Sequence, residues 1–77
     1  SQIEIYFNCY QILHSIRDVR AYSLLETAYS ILKQRADYIL DPTLKLSYLN
    51  NIAIHQTILA EFNQRQKKFS TTASPDF

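Results

Sequence analysis

This 77-residue chain predicts an all-α domain, on three features of its sequence. It contains no glycine, where ordinary usage gives roughly five in a chain of this length. Tight hairpin turns and left-handed helix caps therefore lack their preferred residue, which speaks against a β fold. Its apolar residues recur at three- and four-residue spacing over most of its length, the period of a helix stripe. Its interior proline, Pro42, follows Asp41. Proline disfavours helical geometry in the residue before it, and its own fixed φ suits the first turn of a new helix.

The elements follow in order. Ile5, Cys9, Ile12 and Ile16 share one stripe, with Tyr6, Tyr10 and Leu13 beside it, and predict a first helix over 2–15. The run Ser15-Ile16-Arg17-Asp18 breaks that pattern, and Asp18 is suited to accept the free N–H groups that open the next helix. Tyr22, Leu25, Tyr29, Leu32, Ala36 and Ile39 carry a second helix over 19–40, which stops at Asp41-Pro42. A third helix is expected from Pro42 to Phe69, with Tyr48, Ile52, His55, Leu59, Phe62 and Gln66 in one row. Arg65, Lys67 and Lys68 then fall in its last turn, where positive charge complements the helix dipole. Residues 1–69 thus form a single domain, a three-helix antiparallel array with two long helices after a shorter first one. The small, polar stretch 70–77 is expected to be a disordered tail or linker.

Composition excludes several functions. A domain this small buries only about 60 % of its unfolded surface and is marginal without a staple or a partner. One cysteine allows no internal disulfide, and the apolar setting of Cys9 favours a small core residue in a reducing compartment over a reactive thiol. A net charge of +1 gives no general pull toward nucleic acid or anionic membrane. No stretch approaches the roughly 20 apolar residues of a membrane span, and no basic segment followed by an apolar core marks a secretory signal. The expected setting is cytoplasmic. The chain begins with Ser1 and lacks methionine, so it is expected to be a processed product or a segment of a longer protein.

Catalytic chemistry has little to stand on. His14 and His55 are the two histidines, with no H-x-x-x-H or C-x-x-C spacing around them. His55 lies on the apolar row of the third helix and is expected to be a satisfied core histidine; His14 is expected to be solvated at a helix end. No phosphate loop, nucleophile elbow or carboxylate pair is present, so no enzyme, no cofactor and no metal site is expected. Tyr22, Tyr29 and Tyr48 fall on the leucine stripes, where packing outweighs a stacking platform for nucleic acid.

Ile5, Cys9 and Ile12, then Ala21-Tyr-Ser-Leu-Leu25-Glu-Thr-Ala28-Tyr29, place small residues where crossing helices approach closely and larger ones beside them. This spacing resembles a tetratricopeptide-repeat hairpin. The stretch Leu32 to His55, with Asp41-Pro42 and Leu46-Ser-Tyr48-Leu49-Asn50-Asn51-Ile52-Ala-Ile-His55, is similar to the carboxy-terminal end of such repeat arrays in large bacterial signalling ATPases and fused kinases. The resemblance implies a regulatory or protein-binding module attached to a signalling chain, without an active site of its own. No ligand-binding residues carry over, because no clamp pattern is present.

Helix lengths give the expected binding surface. At 1.5 Å per residue the first helix spans about 21 Å, and the next two about 33 and 40 Å. In antiparallel packing the first covers only part of the second, leaving the corner Ala36, Ile39, Leu40, Leu44, Leu46, Tyr48 and Leu49 projecting beyond it. An apolar patch of that size marks an interface. The expected partners are another protein or neighbouring repeats of the same chain. The alternative is a second copy arranged with two-fold symmetry, which makes the domain a homodimerisation module.

Overall fold

The structure, a computed structural model, describes residues 2–73, with side-chain surroundings as far as Lys67. It is all-helical: α1 (Gln2–Ser15), α2 (Ala21–Asp37), α3 (Pro42–Asn50) and α4 (Ala53–Ala73). The expected first helix has the observed bounds. The expected third helix does not survive as one rod but breaks at Asn51-Ile52 into α3 and α4, so the three-helix array is corrected to four helices. Asparagine competes for backbone hydrogen bonds with its own side chain. Here Asn51 caps α3, its N–H donating to the Ser47 carbonyl at 2.8 Å and its Nδ2 to Ser47 Oγ at 2.9 Å. α4 continues through Ala73, so 70–73 are helical where a tail was expected. Residues 74–77 lie outside the described residues. Arg65, Lys67 and Lys68 accordingly sit inside α4, not in its last turn.

The two expected caps behave differently. Asp41 caps α3 as predicted: its φ and ψ are −76° and 118°, and its Oδ1 accepts from Thr43 N at 2.8 Å and Leu44 N at 3.3 Å. Asp18 is not a helix cap. Its Oδ1 accepts from Arg20 N at 2.8 Å and Arg20 Nε at 2.9 Å, and its Oδ2 from Arg20 Nη2 at 2.7 Å. Arg20, with helical dihedrals and no side-chain bond to the helix, occupies the N-cap of α2.

α1 ends in a left-handed cap despite the missing glycine. Arg17 has φ 58°, its N–H donates to the His14 carbonyl at 3.0 Å, and the Asp18 N–H reaches back to the Leu13 carbonyl at 2.9 Å. These are the two bonds of a Schellman motif, built here on an arginine where glycine is usual.

The core is formed by Ile3, Phe7 and Tyr10 from α1, Ala21, Leu25, Ala28 and Leu32 from α2, and Ile58 from α4, all buried. α1 packs most extensively against α2, and α2 then carries α3 and α4. On α1 this is the face opposite the expected one. Ile5, Ile12 and Ile16 are 61 %, 63 % and 66 % exposed, and Cys9 is exposed, so the small-core reading of Cys9 is wrong. α1 has two apolar stripes of the same period, and the one carrying Phe7 and Tyr10 buries the greater area, which is why it wins. Ala28 and Leu25 are fully buried as expected.

Candidate functional site

Three surfaces stand out. The first is the joint between α2 and α3. Asp41 and Pro42 turn the chain there, and Lys45 Nζ lies 3.3 Å from Asp37 Oδ1 across it, a weak pair because both groups reach solvent. The expected interface residues divide. Ala36 is fully buried, and Ile39, Tyr48 and Leu49 are half-buried, the last two against the core. Leu40 at 93 % and Leu44 and Leu46 at 61 % face solvent. Tyr38, absent from the expected set, is also exposed here, and Ile52 is exposed at the far end of α3. The break at Asn51 resets the helical phase after α3, and that turns Ile52 outward; no periodicity in a single helix reveals it.

His55 ties α3 to α4. It is buried, its Nδ1 donates to the Tyr48 carbonyl at 2.9 Å across the α3–α4 break, and its ring lies 4.6 Å from that of Tyr48. This is the satisfied core histidine expected from its place on the apolar row.

The second surface is an open cleft of about 560 Å³ between α1 and α4. Tyr10, one turn before His14 on α1, faces Glu61 and Arg65, one turn apart on α4. The Tyr10 hydroxyl donates to Glu61 Oε1 at 2.7 Å and accepts from Arg65 Nη2 at 2.7 Å and Nε at 3.1 Å. Arg65 Nη2 also lies 3.2 Å from His14 Nε2 and 3.4 Å from Glu61. Because guanidinium only donates, His14 Nε2 accepts and carries no proton in this arrangement. Burial, reinforced by the Glu61 bond, pushes the Tyr10 phenol above its ordinary pKa. A phenol held protonated and hydrogen-bonded to a carboxylate is a poor nucleophile or base. The cluster joins α1 to α4, and its long-range pairing of residues 10 and 14 with 61 and 65 carries no local sequence signal.

The third surface is the outer face of α1, where Ile5, Cys9 and Ile12 form an exposed stripe that Ile16 continues in the turn just after the helix, with Val19 beyond it. Tyr22 and Tyr29, in contrast, are spent on packing: Tyr29 stacks on Phe62 with ring centres 3.8 Å apart, Tyr22 lies 6.2 Å from the same ring, and Gln66 Nε2 donates to Tyr22 Oη at 3.1 Å. Among the described residues no group of three or more His, Cys, Asp or Glu side chains is placed to hold a metal ion. No helix among them is long and apolar enough to cross a membrane.

Comparison with protein-family models, with curated proteins and with solved structures finds no match to this chain.

Proposed function

We propose that this chain is a non-catalytic helical module that binds other protein chains, as a regulatory or scaffolding part of a signalling protein. One observation supports the reading most: a domain of this size spends large apolar side chains, Leu40, Leu44 and Leu46 among them, on solvent at a rigid helix corner. Leucines left in water at one joint cost solubility and add nothing to the core, which supports reading the joint as a contact surface. The tetratricopeptide resemblance supplies the regulatory and signalling part of the reading.

Selection of amphipathic helical peptides from a display library against the chain tests it. The expected binders lose affinity at least tenfold for a Leu40→Lys/Leu46→Lys variant that keeps its circular dichroism spectrum. A library that yields no peptide sensitive to these two positions overturns the corner as a docking surface.

A further inference from the structure

Ile5, Cys9, Ile12 and Ile16 are spaced four, three and four residues apart, the seam period of paired helices. The set is also its own mirror along the chain. Ile5 and Ile16 lie equally far from the point between Tyr10 and Gln11, and so do Cys9 and Ile12. We propose that a second copy of this chain docks here, the two α1 helices running antiparallel about a two-fold axis at that point. The inference goes beyond the interaction-module reading by naming the partner, and it rests on α1, not on the corner between α2 and α3.

Reversed, the stripe meets itself: Ile5 faces the partner's Ile16, and Cys9 faces the partner's Ile12. The borders select the same direction. Tyr6 and Leu13, half-buried, flank the stripe on one side, and Asn8 and Ser15, exposed, on the other. An antiparallel two-fold sets apolar border beside apolar border and polar beside polar, whereas parallel pairing crosses them.

Ile5, Ile12 and Ile16 are each more than 60 % exposed, so with Cys9 they make an apolar patch on the order of a few hundred Å², the range of a monomer's largest patch, which is often functional. This is less than the about 800 Å² per partner of a standard stable complex, so the dimer is weak and visible only at micromolar concentrations or above. Cys9 supplies a direct readout. Two copies of Cys9 are offset by only about 4.5 Å along the helix direction. Closely packed helices then bring their Cα atoms to the roughly 4.4 to 6.8 Å that a disulfide spans. Two copies of residue 5 are about 16 Å apart along the same direction, beyond reach.

The experiment combines sedimentation at several concentrations with oxidation by diamide, which takes up the two protons and two electrons that a pair of thiols releases. The expected results are a concentration-dependent dimer, Cys9 cross-linking in the parent, and equal cross-linking of Ile12→Cys in a Cys9→Ser background. Ile5→Cys in that background stays uncross-linked, and Ile12→Lys weakens association at least tenfold while the helical spectrum is retained. A chain monomeric at every concentration overturns the proposal. So does cross-linking through Ile5→Cys as efficient as through Cys9, which reports a parallel pair. A dimer untouched by Ile12→Lys but abolished by Leu40→Lys/Leu46→Lys also overturns it, and leaves the corner reading standing.

Discussion

Two aspartates that look alike in the sequence do unlike work. Asp41 satisfies two free N–H groups at the start of α3, so Asp41→Ala should lower stability by about 1 kcal/mol in denaturant unfolding. Asp18 grips Arg20 outside the helix, and that guanidinium holds its carboxyl down to about 2, from an ordinary 3.8. A depressed carboxylate pKa contributes stability above the unfolded-state value, and the contribution is lost as pH falls through the folded-state value. The stability difference between the parent and Asp18→Asn should therefore level off above about pH 5 and shrink as pH falls through 3.8 toward about 2. A difference that grows with acidification contradicts the Arg20 pairing. Arg17 is the other informative residue. A side chain at φ 58° is disfavoured where glycine is not, and relief of that cost outweighs the added freedom of glycine in the unfolded chain. Arg17→Gly should raise stability by roughly 0.5 to 1 kcal/mol, measured as a higher Tm. The sequence makes a turn near Arg17 legible, because the apolar pattern lapses there. It does not reveal the dihedral, which is imposed by two backbone bonds and not by the residue's own preference.

Each helix shows how far periodicity reaches. The bounds of α1 follow from its pattern, but its orientation does not, since two stripes with the same spacing compete and only the partner helix decides between them. On α2 a single strong stripe leaves no choice, and Leu25, Ala28, Leu32 and Ala36 are all fully buried. Ala28 lies in the same buried cluster as Ile3, Phe7 and Tyr10, so its side chain has no room to grow. Ala28→Leu should cost roughly 1 to 3 kcal/mol through overpacking, whereas Cys9→Leu on the exposed face of α1 should change monomer stability little. Equal effects of the two substitutions in chemical denaturation would place Cys9 back inside. The α3–α4 break was not legible because Asn50 and Asn51 lower helix propensity by only a few tenths of a kcal/mol each, an amount that tertiary packing overrides in either direction.

As a whole the molecule buries a small core on one side of α1 and around α2, and leaves large apolar side chains on two outer surfaces. The all-α architecture and the α2–α3 junction were readable from spacing and Asp41-Pro42; Leu40, Leu44 and Leu46 were expected to project on the strength of one long third helix, and they are exposed although that helix is broken in two. The cluster of Tyr10, His14, Glu61 and Arg65 was not, because it joins residues about 50 positions apart that no local pattern couples. Both functional proposals depend on which apolar residues remain in contact with water. The most direct measurement is the relaxation of isoleucine and leucine methyl groups by a soluble paramagnetic agent in a dilute solution of the chain. Strong relaxation of Ile5, Ile12, Leu40, Leu44 and Leu46, with Ile3, Leu25, Leu32 and Ile58 protected, is the expected result. Protection of Ile5 and Ile12 with strong relaxation of Ile3 would mean that α1 is turned the other way, contradicting the packing described and removing the surface on which a second copy docks.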